Sequence, residues 1–346
     1  MRKFLIKCSA WEYWPMWLTY LPSSIYYVYL SIKAGTPFFF SAANPSIENG
    51  GMFFESKKEV YAILPDDLYP CTLHFEADVD ELKIAADMQA VGLSFPIVAK
   101  PDRGERGWLV KIIHDISSLL QYRQNIQRPF LIQSYIQFPM ELSIFYVRYP
   151  SASKGFITSI TGKKLLSVTG DGERNIRALI LADDRAFLQL DVIEKQQLVD
   201  MQRIPEKGEI ITLVHIGNHA RGTTFLNWNE YITSALTDRI NQISNSIPGF
   251  YFGRFDILCE SMASLEQGHD FYILELNGAG AEPAHIYQPG FSYFKAQMVI
   301  MKHFRYLYDI ASAVHQTGVP YMSWQSYRRK KKEEQLFKAG LTNECI

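Results

Sequence analysis

Gly253-Arg254-Phe255-Asp256-Ile257-Leu258 and, after a polar connection over 260–270, Phe271-Tyr272-Ile273-Leu274-Glu275-Leu276-Asn277-Gly278 decide how this chain is read. Each stretch is a short apolar run with one acid set into it, and each reads as a strand. Laid side by side, the strands bring Asp256 and Glu275 close together on one face. Side chains alternate along a strand, so Glu275 and Asn277 share that face. Two carboxylates and an amide oxygen then converge. Those are hard oxygen ligands, few in number, which suits Mg2+ completed by water and substrate phosphates, with Mn2+ as the alternative. An acid in an apolar run also reads as an edge-strand charge facing water. Two such acids, an Asn at strand spacing and Arg254 two residues before the first favour the metal reading, because a buried carboxylate needs a cation or donors to stay ionised.

Arg254-Phe255-Asp256-Ile257 followed by Leu274-Glu275-Leu276-Asn277 resembles the metal-binding end of the ATP-grasp superfamily. D-alanine–D-alanine ligases and the glutathione and cyanophycin synthetase type are the nearest in pattern. The resemblance extends over residues 57–283 and lies more in the order of elements than in any one motif.

Length and composition fit such a protein. The chain has 346 residues, 47% hydrophobic and 21% charged, which allows a sizeable core and two or three subdomains. A formal net charge of −1 gives no global electrostatic case for nucleic acid. Cys8, Cys71, Cys259 and Cys345 are far apart and lack metal-ligand spacing, which fits reduced thiols and a cytoplasmic location. Lys7 interrupts the apolar run after Arg2 and Lys3, so no signal peptide is read. Residues 14–32 carry no charge. Pro15, Pro22, Ser23 and Ser24 break them, and a packed helix capped at Ser23 or Ser24 and running to about Lys33 is expected. Peripheral membrane contact stays open as an alternative for this stretch.

Residues 37–41 read as a buried strand running into Ala42-Ala43-Asn44-Pro45-Ser46-Ile47-Glu48-Asn49-Gly50-Gly51. A strand ending in such a loop can hold a ligand, which makes Asn44 and Glu48 substrate candidates. Asn-Pro and Asn-Gly-Gly are equally ordinary turn chemistry. A helix follows over 55–64. Ser56-Lys57 is similar to the family helix whose Lys reaches the nucleotide phosphates, although alone Lys57 reads as a solvated surface residue.

A helix is expected over 80–91, then the strand Phe95-Pro96-Ile97-Val98-Ala99-Lys100-Pro101. That strand delivers Lys100 as a point charge for phosphate oxygens. Gly104 and Gly107 allow backbone N–H groups to close over phosphates, and a strand returns over 109–113. Lys100 with this loop is similar to the ATP-grasp lid hairpin. The loop departs from the family's small-residue run in carrying Arg103, Glu105 and Arg106. After a helix over 116–125, the run from Phe130 to Ile136 is similar to the family's hinge. There the resemblance implies adenine held near Gln133, Tyr135 and Ile136, with Glu141 on the ribose hydroxyls.

The Gly170-Asp171-Gly172 turn resembles the same place in glutathione and cyanophycin synthetases, and Arg174 and Arg177 lie near the helix start that follows. His215 and His219 stand four apart, but Gly217 and the strand before them argue for a loop over a zinc pair. The family carries a loop near the phosphates here. Asn218 and Gly222 fit it loosely, and Arg221 is the implied contact to the transferred phosphoryl. Beyond Asn277 the sequence departs from the D-alanine ligases, which leaves the substrate open. Glu282 and His285 are the candidates for acceptor contacts.

The expectation is therefore an α/β ATP-grasp fold, with a small lid subdomain over a larger mixed-sheet core and a shortened N-terminal substrate domain. The expected boundaries are 1–71 (substrate region), 72–137 (lid), 138–325 (core with the metal site) and 326–346 (basic tail). The implied activity is an ATP- and Mg2+-dependent ligation of a small carboxylate to an amine through an acyl phosphate. Asp256, Glu275 and Asn277 would hold the metal, and Arg254 and Arg221 would serve catalysis. A phosphotransferase on the same fold and a non-catalytic or membrane-associated ATP-binding module are the alternatives, and homodimerisation is open.

Overall fold

The computed structural model describes residues 1–104, 107–214 and 217–339. Glu105, Arg106, His215, Cys345 and the end of the basic tail lie outside the described residues. In chain order the strands are β1 (Thr72–Phe75), β2 (Ile97–Pro101), β3 (Lys111–Ile113), β4 (Phe130–Ser134), β5 (Met140–Val147), β6 (Phe156–Lys164), β7 (Ser167–Thr169), β8 (Ile210–Thr212), β9 (Thr224–Asn227), β10 (Phe252–Cys259) and β11 (Phe271–Asn277). They form a four-stranded sheet β1-β4-β2-β3, a five-stranded sheet β11-β10-β5-β6-β9 and the ribbon β7-β8. Every pairing is antiparallel. The fold is thus α/β with a small sheet over a larger one, as the resemblance implied.

The large sheet has two unlike faces because its strands alternate. Phe255, Ile257, Ile273, Leu142, Ile144 and Ile160 are buried against Leu236, Ile240 and Ile243 of the helix Ser234–Ser246. Fully burying each such side chain is worth about 1.5–3 kcal/mol, so this face fixes the register of the whole sheet. The opposite face carries Arg254, Asp256, Glu275, Glu141 and Lys163. The small sheet buries Ile97, Ala99, Phe130 and Ile132 against Ile84 and Met88 of the helix Glu81–Ala90, and against Leu119, Tyr122 and Ile126 of Ile116–Ile126. Asp115 caps the second of these helices, accepting from Ser118 N at 2.7 Å.

The N-terminal region departs from expectation. Residues 37–41 are no strand: Phe39–Ala42 form a 3-10 turn. Phe38, Phe39 and Phe40 are buried among Leu30, Leu307 and Ile310. A uniformly apolar run surrounded by side chains has no period that selects a strand. The helix expected from Ser23 or Ser24 begins earlier, as Leu21–Ala34 with Pro22 in its first turn. Ser23 donates to Tyr20 O instead of capping. Gly35 ends the helix in the left-handed conformation at φ 71°. The helix Arg2–Ser9 ties this region to the helix Asp184–Gln196 beside the ribbon, through Arg2–Asp184 (2.7 Å) and Lys3–Asp191 (2.6 Å). Among the described residues no helix is long and apolar enough to cross a membrane.

Candidate functional site

A cleft of about 980 Å³ lies between the two sheets. Its floor is the polar face of the large sheet. Asp256 pairs directly opposite Glu275, and Arg254 directly opposite Asn277, with a register shift just after Asp256. On the other side of β10, Leu258 pairs with Glu141 and Asp256 with Ser143 of β5. Arg254, Asp256, Glu275, Asn277, Glu141 and Lys163 all line the cleft.

The floor is a charge network. Asp256 Oδ1 accepts from Arg254 Nε at 2.8 Å, and Oδ2 accepts from Arg254 NH2 at 3.2 Å and Lys163 Nζ at 3.3 Å. Lys163 also donates to Glu141 Oε1 at 2.8 Å. Burial works against the Asp256 carboxylate, but Arg254 and Lys163 outweigh it and hold its pKa well below the usual range. Burial likewise opposes the Lys163 ammonium, and Asp256 and Glu141 overcome it and raise its pKa. Arg254 NH1 reaches Glu282 O at 3.3 Å. Gly217 lies against Glu141: a Cβ there would meet Glu141 Oε2 at 2.4 Å, so a larger residue would displace the carboxylate from its place beside Lys163.

The lid side supplies Lys100 at the end of β2. It is buried, and Nζ donates to Tyr61 OH (2.8 Å), Gln133 Oε1 (3.1 Å) and Leu274 O (3.4 Å). Tyr61 OH in turn donates to Leu274 O at 2.6 Å, and Gln133 Nε2 donates to Thr72 Oγ1 at 2.7 Å. This knot ties the small sheet to β11 beside Glu275. Burial pushes the Lys100 ammonium down to about 8, with Glu275 opposing. Lys57, at the start of the helix Lys57–Tyr61 capped by Ser56, donates to Gly104 O at 2.7 Å. Lys57, Gly104, Gly107, Gln133, Tyr135 and Ile136 also line the cleft.

Four expected site residues are not brought to it. Asn44 is buried and fully used: Nδ2 donates to Gly50 O (2.9 Å) and Phe252 O (2.8 Å), and Oδ1 accepts from Tyr251 N and Phe252 N at 3.0 Å. It pins the N-terminal segment to the start of β10 and has no capacity left for a substrate. Glu48 is held by Arg103 at 2.8 Å and by Lys330. The Asn49-Gly50-Gly51 turn packs on the residues after β11, with Ala279 N on Gly50 O and Gly280 N on Gly51 O. A Cβ on Gly278 would meet Gly50 O at 2.3 Å. The turn reading therefore wins over the ligand loop. His285 is a core histidine, buried edge-on to Phe291 at 5.8 Å, with its pKa pushed down to about 4 by burial. Arg221 is absent from the cleft wall, although Gly217, Asn218, His219 and Ala220 stand in it. Glu282 does line the cleft, its carboxylate accepting from Tyr287 OH at 3.1 Å.

Sequence reading missed Lys163, Tyr61 and Glu12. Lys163 follows Ile160-Thr161-Gly162 at a strand end, the same signal that marked Lys100. Tyr61 read as an ordinary helix aromatic. Glu12 lines the cleft and is paired with Arg185 (2.8 Å) and His219 (3.3 Å), contacts too distant in sequence for any local signal.

Among the described residues no group of three or more His, Cys, Asp and Glu is arranged to hold a metal ion. The expected set is two carboxylates and an amide, and its chemistry fits a hard cation. Arg254 and Lys163 take three of the roughly four acceptor positions that Asp256 offers. Asn277 has a buried Nδ2 with no hydrogen-bond partner. Amide N and O are interchangeable in shape, so a half-turn of the group would present its oxygen at the same place.

No family model and no curated protein matches the sequence. Among solved structures, the chain is similar to a bifunctional glutathione synthetase from Pasteurella multocida, with 16% identity and a TM-score of 0.37 over 69% of this chain and 34% of that one. It is also similar to a D-alanine–D-alanine ligase from Bacillus anthracis, with 14% identity and a TM-score of 0.44 over 76% of this chain and 69% of that one. The VanG D-Ala:D-Ser ligase from Enterococcus faecalis gives 10% identity and a TM-score of 0.42 over 74% and 62%. The chain thus spans about a third of the synthetase's length.

Proposed function

We propose that the chain is an ATP-dependent ligase of the ATP-grasp type, joining a carboxylate to an amine through an acyl phosphate. The observation that carries this reading is the pairing of Asp256 opposite Glu275 on the cleft floor, with the buried Lys100 of the lid sheet beside them. That juxtaposition puts carboxylates for a cation and an ammonium for phosphate at one place, as triphosphate chemistry requires.

In this reading a substrate carboxylate oxygen attacks the γ-phosphorus and the bond to ADP breaks. The amine then attacks the acyl carbon, loses a proton, and phosphate departs with the former carboxylate oxygen. Lys100 and Lys57 neutralise phosphate oxygens. Residues 134–136 border the adenine, and Glu141 takes the ribose hydroxyls through Oε2, the oxygen that Lys163 does not bond. Asp256 fixes the Arg254 guanidinium by a two-point contact, so that its outward edge meets the oxyanion that develops on the acyl carbon. Lys163 balances Glu141 and Asp256 and holds both in place. Glu282 is the cleft's candidate for the amine. Mg2+ held by Asp256, Glu275 and Asn277 would supply neutralisation of the β- and γ-phosphates.

Calorimetric titration with ATP tests the nucleotide part. Binding should require Mg2+ and weaken at least tenfold in Glu275→Gln. Equal affinity with and without the metal would remove the metal site, and no binding in either case would remove the nucleotide.

A further inference from the structure

The helix Leu21–Ala34 is apolar on both sides. Its inner side is buried, with Leu30 inside and Tyr27 stacked on Phe39 at 5.1 Å. Its outer side carries Leu21, Ile25, Val28 and Ile32 at intervals of four, three and four residues, which is a single stripe. These four are 53%, 70%, 56% and 76% exposed. Trp17, in the short helix Met16–Thr19 just before it, is 70% exposed.

The stripe does not stand alone. The helix Tyr293–Gln316 runs alongside in the same direction. Gln297 Nε2 donates to Thr19 O at 2.7 Å, Tyr27 meets Phe304 at 5.2 Å, and Lys33 Nζ lies over Tyr308 at 5.2 Å. On that second helix Phe294, Met298, Lys302 and Arg305 recur four, four and three residues apart, all of them exposed. The two helices therefore present neighbouring apolar stretches, and each face ends in cations, at Lys33 and at Lys302.

The cations beside the stripes are Lys33 and Lys302. Residues 1–35 hold one acid, Glu12, which is paired with Arg185, while Arg2 and Lys3 are taken up by Asp184 and Asp191. The acid on the second helix, Asp309, is closed by Arg305 at 2.7 Å. An exposed apolar stripe with an adjoining Trp, flanked by lysines and free of exposed unpaired acid, has the chemistry of an interfacial helix on anionic lipid.

We propose that the helix Leu21–Ala34, with Trp17 and the Phe294 end of the neighbouring helix, lies on the surface of an anionic membrane without crossing it. A protein partner would need acids on its own surface to meet these lysines. A second copy of this chain would bring the same cations face to face, which costs association energy. The N-terminal segment also supplies Lys7, Trp14, Met16 and Thr19 to the cleft wall, so membrane seating brings the cleft close to the lipid surface. This holds whether or not the ligase reading does.

The test is vesicle flotation of the full chain on phosphatidylglycerol-containing vesicles and on pure phosphatidylcholine, with Ile25→Glu and the double change Lys33→Glu, Lys302→Glu. Both variants alter only exposed positions, and equal melting temperatures check that they fold. The expected result is flotation on anionic vesicles, reduced at least tenfold on neutral ones, by 0.5 M salt and by either variant. Recovery of the wild type wholly at the bottom of the anionic gradient overturns the proposal. So does a concentration-dependent dimer that Ile25→Glu disperses, which assigns the face to a second copy.

Discussion

Lys100 gives the sharpest quantitative consequence of the site. Burial holds its ammonium at about 8 instead of the ordinary 10.5, despite the neighbouring Glu275. At about 1.36 kcal/mol per pH unit, keeping it charged at neutral pH costs the ligand-free protein roughly 3 kcal/mol. Between pH 8 and 10.5 the unfolded chain binds the proton and the folded chain does not. Stability from this group therefore rises with pH across that window, and the full penalty applies below pH 8. The wild type should gain about 2 kcal/mol relative to Lys100→Met between pH 8 and 9.5, read by urea denaturation of both proteins in parallel. A polyphosphate bound against Lys100 would favour the charged form again. ATP binding at pH 8 should then take up about half a proton, seen as a buffer-dependent enthalpy in calorimetry. Affinity should weaken by up to tenfold per pH unit above 8. An ATP affinity flat from pH 7 to 9.5 in the wild type, with no proton uptake, would refute the placement of phosphate at Lys100.

Three further expectations follow from other residues. Asn44→Ala removes four buried hydrogen bonds and should cost about 2–4 kcal/mol of stability, leaving ATP affinity unchanged. A change in substrate KM without loss of stability would return Asn44 to the substrate site. Burial lowers the pKa of His285 to about 4 from 6.5, so the unfolded chain binds more protons between pH 6.5 and 4 and the protein loses stability as pH falls through that window. His285→Phe should flatten this loss in denaturation curves at pH 5 and 7, and parallel curves for the two proteins would contradict the assignment. Arg254→Ala should lower kcat by about two to three orders of magnitude, in line with loss of an oxyanion donor, and Arg254→Lys should recover part of it. An unchanged kcat would remove Arg254 from the chemistry.

The central strands were legible because two independent signals coincided in β10 and β11. Alternation defined the buried face, and acids interrupting apolar runs marked the other. Lys100 was legible for a similar reason, as a charge at the end of an apolar strand beside glycines. The pairing of Asp256 with both Arg254 and Lys163 was not, since Lys163 arrives from β6 and register across three strands is a tertiary fact. Asn44 and Glu48 illustrate the reverse case. A polar loop after an apolar run suggested a ligand, but the polar atoms serve the chain's own backbone and Arg103 and Lys330. His285 misled because its chemistry is that of a site residue, whereas its surroundings are Phe291 and the core. The Phe38-Phe39-Phe40 run carried no periodicity, and packing around it chose a tight turn over a strand.

The central claim is that the floor formed by Asp256 and Glu275 supports ATP turnover that depends on a carboxylate and an amine. Its most direct test is Mg2+-dependent release of ADP and phosphate in the presence of pooled small carboxylates, with and without amino acids, and Asp256→Asn as control. The expected result is turnover only when an acid and an amine are both present, abolished in Asp256→Asn. Turnover that ignores the amine, or that persists undiminished in Asp256→Asn, would contradict it.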